Sequence, residues 1–451
     1  LYLMGVEPKW NSRGIVDGFR VIPEAELGRP RIDVVFTIAG IYRDGLADKI
    51  LLLDKASKLA AAAEPGNAIR RHTEEIARQL IEAKVEPALA AKLAAARAFG
   101  SAPGDYGAGV SKIAKQSKDA AGAAGVAKVY TNYMGHAYSA DLWGERHQQA
   151  FERQLAGNEA IIHSRSTSVY GVLDNDDFFE FAGGLNLATK AANGGAAPAF
   201  YVNDVRRRGR ETVEGIQTFI AHELNGRYWN PKWIEEMKKA GYAGAREIMD
   251  NLENLYGWQM TSAEHMDEAF WQNSYDVYVA DKHGLELEQF FDRENPHVRQ
   301  MMLARMLEVD RQGVHKFQPD ERARLVREYV SSVNRVGVSC SANTCGNRSL
   351  LDYVKTQAPL ISGLGNIDVA RYNQVVARAT SPVAQPPAAP APARQAAPTV
   401  TGFRMEERVL TPPAAAAAGT PLTSPLGYLA LLTLVGAGVL REALRRSSPA
   451  R

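Results

Sequence analysis

The stretch RPRIDVVFTIAGIYRD, residues 29–44, decides the fold class. From Ile32 to Ile38 it is apolar and rich in β-branched residues, and it stops at Ala39 and Gly40. That is the pattern of a buried strand that empties into a loop and a helix. Ligands of α/β proteins gather at the carboxyl ends of such strands, so the residues after Ile38 are the first place to look for a site. GLADKILLLDKASKLAAAAE (45–64) then carries apolar residues at helical spacing, and an Ala-rich helical pair follows over about 68–98, with Pro87 near its break. NEAIIHSRS (158–166) and APAFYVND (197–204) read as further strands. From about 211 to 335 apolar residues recur at three and four positions, as in PKWIEEMKKAGYAGAREIMDNLENLYGW (231–258). The expected fold is α/β: strand-helix units in the N-terminal part, then a mainly helical region.

Composition narrows the function. With 45% apolar and 23% charged residues the chain can bury a sizeable core. Its net charge of +2, from 53 basic and 51 acidic side chains, creates no global field toward nucleic acid, so no nucleic-acid partner is expected. The two cysteines, Cys340 and Cys345 in GVSCSANTCGN (337–347), leave room for a disulfide-closed loop in an oxidising compartment, with two idle thiols as the alternative. They have neither CxxC spacing nor a nearby His, which argues against zinc.

The C-terminal part has another character. Pro and Ala dominate from Ser381 to Thr420, as expected of an extended linker. SPLGYLALLTLVGAGVLREALRR (424–446) follows, with an uncharged run long enough for one membrane span and Arg441, Arg445 and Arg446 beyond it. The expected segments are an α/β part over 1–125, an α/β-to-helical part over 126–360, a linker over 361–420, a transmembrane helix over 421–441 and a basic cytoplasmic tail over 442–451. The folded body is then expected outside the cytoplasm, anchored by its C-terminal helix. No basic-then-apolar leader is visible at Leu1, so the chain reads as the C-terminal part of something longer.

Familiar catalytic signatures are few. AHELNG (221–226) has Gly226 where a zinc protease needs its second His, and there is no GxxxxGK[ST] phosphate loop, so this chain is not expected to hydrolyse ATP by itself. His136 and His163 sit beside aromatic or strand-end residues and are candidates for metal binding or proton transfer, against an ordinary structural role. LDNDDFFEFAGGL (173–185) places Asp174, Asp176, Asp177 and Glu180 together. It fails the calcium-loop pattern at its sixth and twelfth positions, which leaves proton or metal handling, with Asp176 and Glu180 as candidates, or a helix-capping turn. NDVRRRGRE (203–211) offers Arg206 and Arg207 for clamping carboxylates, or a solvated loop. The glycine-rich FGSAPGDYGAGVSK (99–112), which carries Tyr106, is a flexible turn or a loop whose amides approach a ligand. In RYWNPKW (227–233) Pro231 starts a helix capped by Asn230, and Trp229 is the tryptophan expected to face a cavity.

RPRIDVVFTIAGIYRD, PGDYGAGV, LDNDDFFEFAGGL and NPKWIEEMKKAGYAGAREI together resemble, in order and with near-identical spacing, the C-terminal region of the large tetrapyrrole-binding subunit of cobaltochelatase and magnesium chelatase. The similarity runs from about Leu1 to about Gly313. It implies a protein that binds a porphyrin- or corrin-type macrocycle and moves a divalent metal (cobalt, magnesium or iron) into it, driven by separate ATPase subunits. On this reading His136, His163, Asp176 and Glu180 handle metal or protons. Tyr106, Arg165, Arg206, Arg207, Arg227, Trp229, Lys232 and Trp233 contact the macrocycle. Where the family often has Gln and His, this chain has Glu180 and Ala182. The Pro/Ala spacer and terminal span resemble a membrane-anchored branch, which implies an alternative: a haem dechelatase, or a tetrapyrrole- or cobalt-binding protein that serves a membrane transporter.

Overall fold

A computed structural model describes residues 1–64, 67–116, 120–341 and 343–381. Among them, β1 (Val6–Trp10) and β2 (Val16–Val21) form an antiparallel pair. β3 (Phe36–Ile38) lies parallel to β4 (Ala98–Gly100), and β5 (His136–Tyr138) and β6 (Trp143–Arg146) extend this sheet antiparallel in the order β3-β4-β5-β6. In the third sheet, β7 (Ala160–Arg165) pairs parallel with β8 (Ala199–Asp204), which pairs antiparallel with β9 (Thr212–Gly215). β3 and β7 are therefore both edge strands.

The expected strand over 32–38 forms only over its last three residues. Ahead of it, Asp33 turns to the buried Arg97, whose Nε donates to it at 2.8 Å, so side chains rather than a ladder hold this approach. The helices Ala47–Ala62, Ala68–Glu82 and Pro87–Ala95 follow the sequence reading, with Pro87 in the first turn.

The NPKW segment behaves as its chemistry requires. The Asn230 side chain accepts the amide of Lys232 at 3.0 Å and caps the helix Pro231–Lys239. Gly241, at φ +59°, turns the chain into the helix Tyr242–Thr261. The two helices approach so closely that a Cβ at Gly244 would stand 1.8 Å from the Met237 carbonyl oxygen. Glycine at 244 is thus a packing requirement.

One hydrophobic core runs from Ile76 to Val376, with Trp258, Trp271 and Tyr329 fully buried in it. Smaller clusters gather around Met4 and Ala56, and around Ile38 and Tyr138. This continuity corrects two expected boundaries. No break falls at 125/126, because the helix Ala120–Met134 crosses it and the β3–β6 sheet spans both sides. Nor does a linker begin at 361: the helix Asn366–Thr380 buries Tyr372 and Val376, and the compact unit extends over Leu1–Pro382. The expected transmembrane helix and tail lie outside the described residues. Among the described residues no helix is long and apolar enough to cross a membrane.

The expected disulfide is not formed, since Cys340 and Cys345 are both free. Hydrogen bonds already close this loop: Thr344 donates its hydroxyl to the Ser339 carbonyl, and the Gly346 amide reaches the Ser341 carbonyl at 3.0 Å. Burial, followed by a hydrogen bond with Cys340, pushes the Cys345 thiol up to about 11.

Candidate functional site

A cavity of about 590 Å³ opens where the β3 and β7 edges meet the turn after Asp177. β3 and its exit supply Thr37, Ala39 and Ile41. The glycine-rich loop supplies Tyr106, β7 supplies the run from Ile161 to Arg165, and the turn adds Asp177, Phe178 and Phe181. The loop can lie against the end of β3 only because residue 40 is glycine. A Cβ there would stand 2.5 Å from the Asp105 carbonyl oxygen.

The rim is apolar yet open to solvent. Ile41, Tyr106 and Ile162 are 75%, 61% and 51% exposed, which is unusual for side chains of this size clustered at one opening. The wall behind them is polar. His163 stacks edge-on against Phe178 with ring centroids 4.9 Å apart, and its buried Nε2 has no hydrogen-bond partner. Burial first, then the charge of Arg165, pulls this imidazole down to about 4, so it is neutral at physiological pH. Arg165 is almost wholly buried, with Nε and Nη1 unpartnered and Nη2 4.0 Å from Glu223. Burial is also what lowers its pKa. Asp177 is raised, by burial and then by Asp176. The cavity thus has an apolar mouth, a neutral base, a carboxyl group and an under-bonded guanidinium.

Of the expected site residues, His163, Arg165 and Tyr106 come together here. His136 does not. It lies in β5, two strands in from the β3 edge, with Nδ1 3.0 Å from the Tyr133 carbonyl oxygen, so the two histidines do not form one metal site. Among the described residues no three His, Cys, Asp or Glu side chains gather as a metal cluster. Asp176 also points elsewhere, accepting the Ser111 hydroxyl. Glu180 sits in a π-helical turn, Phe179–Gly183, and its Oε1 accepts the amides of Ala108 and Val110 at 3.0 and 3.1 Å. The loop amides expected to approach a ligand therefore grip this carboxylate, whose pKa burial raises against their pull.

The remaining candidates lie off the cavity. Arg206 is engaged by Asp204, at 2.6 Å, and lies 3.6 Å from Glu223, whereas Arg207 is exposed on a turn. Arg227 pairs with Asp174 at 2.7 Å. Lys232 is exposed on the capped helix, and Trp233 packs edge-on against Tyr228. Trp229 does not face a cavity: it is buried, with its indole N–H donating to Ser274 Oγ at 3.2 Å. A flat aromatic beside a capped helix was absorbed by the core. Asp177 stood in the acidic group that the sequence offered, whereas Phe178 and Phe181, like Ile41 and Ile162 on the rim, were not singled out as site members. The signal for the two phenylalanines was the aromatic spacing inside DDFFEF, which carries no hint of which side faces a cavity.

The profile of the CobN/Magnesium Chelatase family matches residues 1–322. The chain belongs to this family. It is 32% identical over 316 residues to the aerobic cobaltochelatase subunit CobN of a Sinorhizobium species, covering 69% of this chain and 24% of that protein. It is 31% identical over 325 residues to a magnesium-chelatase subunit of Rhodobacter capsulatus, covering 71% and 26%. The solved catalytic subunit of cobaltochelatase from Mycobacterium tuberculosis superposes with a TM-score of 0.66 at 28% identity, over 73% of this chain and 28% of that one. The chain thus spans about a quarter of the length of these relatives.

Proposed function

We propose that this chain carries part of the macrocycle-binding cleft of a cobaltochelatase-like large subunit, which inserts a divalent metal into a porphyrin- or corrin-type tetrapyrrole. The observation that carries the reading is the cavity at the two sheet edges, with exposed Ile41, Tyr106 and Ile162 around a wall containing Arg165 and His163. A tetrapyrrole is a flat apolar disc with carboxylate arms. The rim would cover its face and Arg165 would take a carboxylate. Inserting a divalent metal into a free-base porphyrin releases two N–H protons. His163, whose buried Nε2 has no partner, and Asp177 line the same cavity and are the groups placed to relay them. The metal is substrate and passes through, and ATP would act through separate subunits, in keeping with the missing phosphate loop. The Pro/Ala run and the apolar segment over 421–441 support placing this body at a membrane surface.

The test is an absorbance titration of the full chain with deuteroporphyrin IX, a free-base porphyrin with two propionates. Saturable binding with a shifted Soret band is expected, at least tenfold weaker in Arg165→Met. Absence of binding, or binding indifferent to Arg165, would refute the assignment. Adding Co²⁺, or haem in place of the porphyrin, then reads the direction of metal transfer.

A further inference from the structure

A second cavity, of about 290 Å³, lies away from the cleft, between the helix Ser111–Gln116, the helices Tyr242–Thr261 and Pro296–Gln312, and the loop that carries Ser341 and Asn343. We propose that this cavity binds a small dianion of the phosphate class, as inorganic phosphate or a phosphate monoester.

The charges point to that ligand. Lys112, Lys115 and Arg305 line the cavity, and Glu253 is its one acidic lining residue. Glu253 is already committed: Arg305 donates to both its oxygens, at 2.8 and 2.6 Å, and the Asn343 amide donates to Oε1 at 3.0 Å. What remains is a positive field from two lysines. Lys115 has a 4.0 Å approach to Asp176 and lies 5.5 Å from the Phe179 ring centroid, and no ion pair engages Lys112 among the described residues. Two cations three residues apart on one helix suit a doubly charged oxyanion better than a single carboxylate.

Hydrogen bonding adds an independent indication. Asn343 is 4% exposed and donates from Nδ2 to Glu253 and to the Met301 carbonyl, which fixes its amide orientation and leaves Oδ1 buried without a partner. A buried acceptor of this kind calls for a donor, such as the hydroxyl of a hydrogen phosphate or of an ester's organic part. Ser111, Gln116 and Ser341 supply further polar contacts. Arg305 is held rigidly, its guanidinium 3.7 Å from the Tyr256 ring centroid as well as paired with Glu253. The cavity exceeds the volume of one phosphate, leaving room for a small ester.

Isothermal titration of the full chain with inorganic phosphate, and separately with glycerol 3-phosphate, a monoester whose organic part carries hydroxyls, at constant ionic strength held by chloride, tests this. Saturable binding is expected for at least one of the two, at least tenfold weaker in the double variant Lys112→Gln/Lys115→Gln. Whichever probe binds tighter identifies the source of the phosphate group. Both lysines reach solvent, so the double variant should melt at the wild-type temperature without phosphate, and Lys49→Gln, an exposed lysine elsewhere, should leave binding unchanged. No saturable heat at millimolar phosphate, or equal binding by wild type and the folded double variant, would overturn the proposal.

Discussion

Replacing His163 with phenylalanine should remove a specific acid sensitivity from this protein. The imidazole falls from 6.5 to about 4 on folding, because burial and then the neighbouring Arg165 disfavour its charged form. In the unfolded chain the same group takes up its proton below about 6.5. Between these values the unfolded state binds more protons, so stability rises with pH across the window and is lost as pH falls through it. Working the two binding curves between pH ~7.5 and pH ~4.5 gives a loss of about 2.5 kcal/mol for the wild type that His163→Phe should not share. The assay is urea denaturation of both proteins at several pH values. Other groups titrate in both, including Asp177 in the same cavity, so the quantity of interest is the difference between the two curves. That difference should be flat above pH ~7 and shift toward the variant below pH ~6. A histidine proton resonance assigned to His163 should titrate near 4. A midpoint near 6.5, or parallel stability curves, would refute the argument that burial and Arg165 keep His163 uncharged through the mildly acidic range.

Other consequences follow from single contacts. Gly244→Ala would drive a Cβ into the Met237 carbonyl and separate the two helices, costing about 3 kcal/mol by denaturant melting; a loss under about 1 would show that the hairpin can relax. Glu180→Ala leaves the amides of Ala108 and Val110 without their acceptor, an expected loss of roughly 2–4 kcal/mol, whereas Glu180→Gln keeps an acceptor oxygen and should cost less, with proteolysis within residues 103–110 as a second readout. Glu253→Ala strands the buried Arg305 charge and should cost about 3–5 kcal/mol, much of it recovered in Glu253→Ala/Arg305→Met. At neutral pH the exposed Cys340 should react with a thiol reagent well before the half-buried Cys345, whose thiol is pushed up to about 11; equal rates would contradict that raised thiol.

Much of the helical framework was legible in the residues themselves. Pro87 and Pro231 sit in the first turns of their helices, and Asn230 caps as its side chain dictates, because these effects act within a few covalent links. The strands of NEAIIHSRS and APAFYVND were equally visible, since alternation and β-branching are local properties. Family membership could be read the same way, from four short strings in fixed order.

The site was only partly legible. His163, Arg165 and Tyr106 were singled out and do meet. Asp176 was chosen over its neighbour Asp177, yet one step along the chain separates a side chain bound to Ser111 from one lining the cavity. Trp229 and Glu180 look like ligand-facing chemistry in sequence, but the fold supplies each with an internal partner, Ser274 for the indole and two loop amides for the carboxylate. By itself the sequence determined the main helices, the strands β7 and β8, where the capped helices start and which family the chain belongs to. Only the tertiary structure decided which polar groups remain unpaired, because a hydrogen-bond partner tens of residues away is set by how the sheet edges and helices pack.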